Sequence, residues 1–238
     1  MQTIAIIGLG SFGCRMADAL SGSNAELIII DKDREIVEKY KSAVTNAYIA
    51  DALGEEILKK VISKDVNVAI IDLGSQLESS IMVTNHLKKI GIEHIIVRAR
   101  SNEHGEILKL VGATKVIYPD LDAAVHLVPM ILSESLFNYM PVSQNFSIAE
   151  IKIKDSQDGK TLAESRLRQD YGLNIIGFHA ENSQEIQTIT SADFVLSSKM
   201  IFLVAGTPDS IMNYTKSKDS DTEHKKSIGF FQKLFHRN

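Results

Sequence analysis

The sequence predicts a doubly wound α/β domain, with a parallel sheet covered on both faces, followed by a smaller α+β domain. Three observations predict it. Short apolar runs alternate with amphipathic stretches through the first half of the chain, and strands apolar on both sides belong in a parallel sheet between helices. A glycine-rich turn, Gly8-Leu9-Gly10-Ser11-Phe12-Gly13, separates the first apolar run from the first amphipathic stretch. After Met140-Pro141 the pattern changes to alternating segments punctuated by turns.

The apolar runs are Ile4 to Ile7, Leu27 to Ile30, Ala47 to Ile49, Val68 to Leu73, Ile95 to Val97 and Val116 to Tyr118. Helical spacing fills the gaps near 12–20, 33–43, 53–63, 76–90 and 102–112. Runs and helices in this order make βαβ units, so residues 1–120 are expected to form one Rossmann-type domain. A further helix is expected over 121–139, carrying Leu121, Val125, Val128, Ile131, Leu132, Leu136 and Phe137, with Pro129 kinking it or ending its first segment. It is more apolar than a solvated helix requires; it packs either on its own sheet or on a second subunit.

Residues 140–215 read as the α+β domain. Phe146 to Ile153 alternates as a strand does, Asp158-Gly159 marks a turn, and Thr161-Leu162-Ala163-Glu164 has capping-box spacing for a short helix through Asp170. Strand-like runs follow at Leu173 to Phe178, Glu185 to Thr190 and Met200 to Val204, and Thr207-Pro208 opens a last helix. Residues 216–238 are a polar linker and a basic amphipathic tail, with Ile228, Phe231, Leu234 and Phe235 near one helical face. The tail either docks on a membrane surface or partner or frays.

Composition bounds the function. The net charge of −4 speaks against a broad nucleic-acid footprint. No apolar run approaches the roughly 20 residues of a membrane span, and Met1-Gln2-Thr3-Ile4 carries no basic leader, so the chain is expected in the cytoplasm. The one cysteine, Cys14, cannot form an internal disulfide; it is a small buried residue or a thiol activated by a helix N-terminus.

In the glycine turn, Gly8 permits the tight bend, Gly10 the approach of a pyrophosphate, and Gly13 close helix–strand contact. The helix N-terminus offers amide donors and positive dipole to phosphate. Asp31 ends the second strand, where a carboxylate accepts from a ribose diol and repels a 2′-phosphate; NADP is therefore not expected. Asp51-Ala52 and Gly74 follow the third and fourth strands on the same edge. Catalytic chemistry is not visible: the seven histidines show no motif, with His86, His94 and His104 in or beside surface-facing stretches. The enzyme alternative is an NAD-dependent oxidoreductase, which needs a proton donor beside the nicotinamide.

Gly8 to Gly13, Asp31 and Asp51-Ala52 begin an ordered series. It continues with Val97-Arg98-Ala99, His104, Val111-Gly112-Ala113 and Val116-Ile117-Tyr118-Pro119-Asp120, and reaches Gly159-Lys160-Thr161-Leu162 and Tyr171-Gly172-Leu173-Asn174-Ile175-Ile176. Over roughly residues 1–215 the chain resembles the RCK domains (regulators of potassium conductance), of the TrkA/KtrA type. The resemblance implies a regulatory subunit of a Trk/Ktr potassium transporter. It would be a homodimer joined through a crossover helix at 121–139, assembled as an octameric ring at the inner face of the membrane and bound to a membrane-embedded translocating subunit.

The resemblance further implies ATP, ADP or NAD(H) at Gly8, Gly10, Ser11, Phe12, Gly13, Asp31, Lys32, Asp51, Ala52, Gly74 and Arg98. It implies Mg²⁺ or Ca²⁺ at Asp120 beside the nucleotide, and cyclic di-AMP at Leu167, Arg168, Asn174 and Ile175. Two departures matter. Ser11 stands where ATP-binding relatives often carry arginine, and Thr190 where cyclic di-AMP binders tend to have proline; both nucleotide identities stay open.

Overall fold

The computed structural model describes residues 1–183 and 185–216. It divides into two units, Met1–Pro119 and the part from Asp120 onward. The first unit runs β1 (Gln2–Ile7), α1 (Ser11–Leu20), β2 (Ala25–Asp31), α2 (Arg34–Tyr40), β3 (Asn46–Ile49), α3 (Glu55–Val61), β4 (Val68–Ile71), α4 (Leu77–Ile90), β5 (His94–Arg98), α5 (Asn102–Val111) and β6 (Lys115–Ile117). Every strand pair is parallel, in the order β3-β2-β1-β4-β5-β6. The order reverses between β1 and β4, and that switch point opens a crevice at the carboxyl edge of the sheet.

The pleat explains why these runs are apolar throughout. Ala5, Ile7, Ile28, Ile30 and Ile71 pack on one face with Leu58, Val83 and Leu87. Ile4, Ile6, Leu27 and Ile29 pack on the other with Ala17, Val37 and Tyr40. Each fully buried side chain of this size contributes about 1.5–3 kcal/mol, so a charge inside such a strand needs a specific partner.

The second unit contains α6 (Pro119–Ile131, which starts at the boundary), β7 (Leu136–Ser143), β8 (Phe146–Ile151), α7 (Leu162–Ser165), α8 (Leu167–Tyr171), β9 (Asn174–Ala180), β10 (Gln187–Thr188), β11 (Met200–Gly206) and α9 (Pro208–Thr215). Its strands are antiparallel in the order β10-β9-β11-β8-β7. Phe202, Val204, Leu167, Leu173, Tyr139 and Tyr214 form its core. Thr161 caps α7 with the reciprocal Glu164 bond, and Thr207 caps α9 with Pro208 at its first turn.

Four expectations are corrected. The helix expected to Tyr139 passes Pro129 and ends at Ile131. Leu136 and Phe137 lie instead on β7, because pairing with β8 buries Leu136 and Tyr139 and gives the Tyr139 hydroxyl a partner in Ser147 at 2.9 Å. Pro141 is tolerated because β7 is an edge strand. The helix expected through Asp170 breaks at Arg166, whose φ of 49° is left-handed, into α7 and α8. The strand expected over Glu185 to Thr190 is confined to Gln187–Thr188. His86 and His104 are buried rather than surface-facing: His86 faces Glu55 at 3.3 Å, and His104 bonds Ser80 at 2.8 Å. The tail reading falls on 217–238, outside the described residues, except for Lys216.

Candidate functional site

The carboxyl edge of the first sheet carries a cleft of about 360 Å³, within the range of small-molecule sites. Gly8, Gly10, Asp31 and Lys32 line one side of it, and Asp51, Ala52 and Gly74 another. These residues leave the ends of β1, β2, β3 and β4, so parallel pairing alone brings them to one edge. Ile36 and Leu53 add apolar wall; Ser75, Gln76 and Ser79 add polar groups.

The glycine turn is shaped by what stands behind it. Gly8 has a φ of 88°, which a β-carbon disfavours, and its place is backed by the Asp72 backbone. A β-carbon at Gly10 would lie 2.6 Å from Asp72 Oδ2. The space that glycine opens therefore already holds a carboxylate.

Asp72 follows directly on β4, and its side chain is fully enclosed (0% exposed). Its Oδ2 accepts the amides of Phe12 at 3.1 Å and Gly13 at 2.9 Å. Arg98, at the end of β5, donates to Oδ1 at 3.3 Å. Helix amides and a guanidinium compensate this buried charge. Asp72 also lines the cleft. Sequence reading missed it, although one acid in the run Val68 to Leu73 was the signal: a charge there must meet donors at the sheet edge.

Asp31 is likewise engaged. Its Oδ2 accepts the Leu9 amide at 2.6 Å and its Oδ1 the Asp33 amide at 2.9 Å, so β2's terminal carboxylate braces the glycine turn. Asp51 Oδ1 accepts the Leu53 amide at 3.0 Å. Ser11, Phe12, Gly13 and Arg98 do not line the cleft; the last three bond Asp72, and Ser11 is exposed at the start of α1. Cys14 donates to the Leu9 carbonyl at 3.2 Å.

Deeper in the same unit, His104 is held from both ring nitrogens. Nδ1 lies 3.4 Å from the Arg100 amide, an acceptor's position, so Nε2 carries the proton toward Ser80. Burial, then the charge of Arg100, holds its pKa below the usual imidazole range. This neutral ring ties the first turn of α4 to the β5–α5 turn.

Elsewhere, Asp120 is exposed in the first turn of α6, and among the described residues no three His, Cys, Asp or Glu side chains converge as a metal site. Leu167 packs in the core of the second unit, with Ile175 against that core. Arg168 and Asn174 are exposed at α8 and the start of β9.

Comparison with known proteins places the chain. Residues 4–119 match the TrkA-N domain and residues 148–217 the TrkA-C domain. The Ktr system potassium uptake protein A of Bacillus subtilis (strain 168) is 30% identical over 175 residues, 74% of this chain and 79% of that protein. The chain belongs to the TrkA-type Ktr family. Within it, the Ktr system potassium uptake protein C of the same organism is 29% identical over 215 residues, 90% of this chain and 96% of that protein. The GsuK channel bound to NAD shares this Ktr-family chain's fold, with a TM-score of 0.63 and 20% identity over 92% of the chain. The chain spans 40% of that channel's length.

Asp31 ends the second strand at the cleft, and Ile36, Ala52 and Leu53 give it apolar wall. Two of the first amides of α1 are already bonded to Asp72.

Proposed function

We propose that the chain is the cytosolic regulatory subunit of a Ktr-type potassium uptake system, in which a nucleotide at the β1/β4 edge sets the activity of a membrane-embedded translocating subunit. The observation that carries this reading is the cleft. Four strand ends, the glycine turn and Asp31 converge there in a chain that spans nearly the whole length of a potassium uptake relative. Among the described residues no helix is long and apolar enough to cross a membrane, so translocation falls to a partner.

The cleft acts by binding rather than by catalysis. Asp31, Asp51 and Asp72 each accept backbone amides, and the buried histidines lie outside the lining. Adenine nucleotides without a 2′-phosphate, ATP, ADP or NAD(H), are the ligand class; NAD is what the GsuK channel of the same fold holds. Mg²⁺ or Ca²⁺ at Asp120 and cyclic di-AMP at Arg168 and Asn174 are secondary proposals that rest on the family resemblance.

Assembly follows from exposed apolar surface. Leu127, Ile131 and Leu132, on and just after α6, are more than half exposed, and a second copy covering them forms the dimer from which a ring is built. A ligand shifts such a ring only by contacting its shapes unequally.

The test is thermal unfolding with ATP, ADP, NAD⁺, NADH, NADPH and cyclic di-AMP. A ligand that binds the native state raises the melting temperature. Stabilisation by an adenine nucleotide but not by NADPH is the expected result; no shift at millimolar ligand contradicts the nucleotide reading.

A further inference from the structure

We propose that Asp72 sets the phosphate charge this cleft accepts, by acting as an internal anion at the N-terminus of α1. This assignment rests on the reading of the cleft as a nucleotide site and gives that site its ligand preference. The turn Gly8 to Gly13 is built to offer amide donors to phosphate. Here the amides of Phe12 and Gly13 donate to Asp72 Oδ2, and the missing side chain of Gly10 leaves room for that oxygen. Arg98, a cation suited to phosphate, donates to the other oxygen. The donors a polyphosphate would use are thus committed to a carboxylate of the chain itself.

The rest of the lining points the same way. Asp31, Asp33 and Asp51 line the cleft with Lys32, Asp72 is enclosed behind its glycine turn, and Ser11 adds no charge. Like charges a few ångströms apart in a partly enclosed site repel strongly. Each added phosphoryl group therefore costs affinity at this edge. A dinucleotide, whose pyrophosphate is esterified at both ends, or a monophosphate brings less charge than a nucleoside triphosphate with its free terminal phosphoryl. The geometry selects NAD(H)-like or monophosphate ligands over ATP.

The experiment is isothermal titration calorimetry of the full chain in EDTA with adenosine, AMP, ADP, ATP and NAD⁺, repeated with Asp72→Asn. The carboxamide oxygen can still accept the Phe12 and Gly13 amides, while its NH2 replaces the oxygen that accepts from Arg98, so the change removes the charge and releases the guanidinium with little change of side-chain size. In the unmodified protein, affinity is expected to stay level or fall from AMP to ADP to ATP, with NAD⁺ above ATP. In Asp72→Asn, ATP affinity rises about tenfold or more, ADP less, and adenosine is unchanged.

Affinity climbing with each phosphate in the unmodified protein overturns the assignment even if the variant does not fold. So does a variant that weakens all phosphate ligands alike. Failure of adenosine and every nucleotide to bind either protein overturns the nucleotide cleft itself, and the assignment with it.

Discussion

At the scale of single residues, the site is held by carboxylates that serve the backbone first. Asp31 takes two amides, one of them in the glycine turn. Asp31→Ala is expected to weaken nucleotide binding by at least about tenfold and to lower stability by about 1–3 kcal/mol, because the part-buried Leu9 amide loses its acceptor; calorimetry and urea unfolding measure the two effects. His104 gives a pH prediction. Its folded pKa lies below the unfolded value of 6.5, so the unfolded state binds the proton more readily and stability rises with pH. Its contribution is complete above pH 6.5 and is lost as acid takes the pH through the folded pKa. His104→Asn is expected to flatten the fall in melting temperature between pH 7.5 and 5, and an unchanged slope would reject the role. Asp31 was legible because a strand-ending acid after a glycine turn carries a spacing signal. Asp72 was not, because its donors lie about 60 positions away and at Arg98. Only the closed sheet brings them to it.

Among elements, legibility followed how local the determining interactions are. The inner parallel strands β1, β2, β4 and β5 carry the buried apolar runs, and helices separate all six strands, so the runs stood out and the expected order of units needed no knowledge of pairing. The strand β7 did not stand out. Leu132, Leu136 and Tyr139 repeat at spacings that continue the helix α6, and only the ladder to β8, with the Tyr139–Ser147 bond, assigns the segment to the sheet. Ser133 and Ser135 mark the change of direction: both hydroxyls donate to the Thr215 carbonyl, at 2.9 and 3.0 Å, and so satisfy the end of α9. The capping box of α7, in contrast, is four consecutive residues and was readable at once. Thr161→Ala is expected to cost about 1 kcal/mol, measured by chemical denaturation. The Thr161 amide and hydroxyl hold the Glu164 carboxyl below its usual range. The stabilisation from that carboxylate is present above pH 4.5 and fades as the pH falls through its folded value.

For the whole molecule, the account requires copies of the chain to meet and a membrane partner to respond. Leu127→Glu with Ile131→Glu places charge on the exposed apolar surface of α6 and is expected to reduce the sedimenting mass while the circular dichroism spectrum stays that of the folded chain. Unaltered assembly would move the interface elsewhere. The most direct measurement of the central claim is potassium flux in liposomes holding a Ktr translocating subunit, with this protein added and NAD⁺, NADH, ADP or ATP varied. The account predicts flux that depends on the added protein and changes with at least one nucleotide, the dependence on nucleotide disappearing in Asp31→Ala. Flux indifferent to the protein, or altered by it identically with every nucleotide and with none, would contradict it.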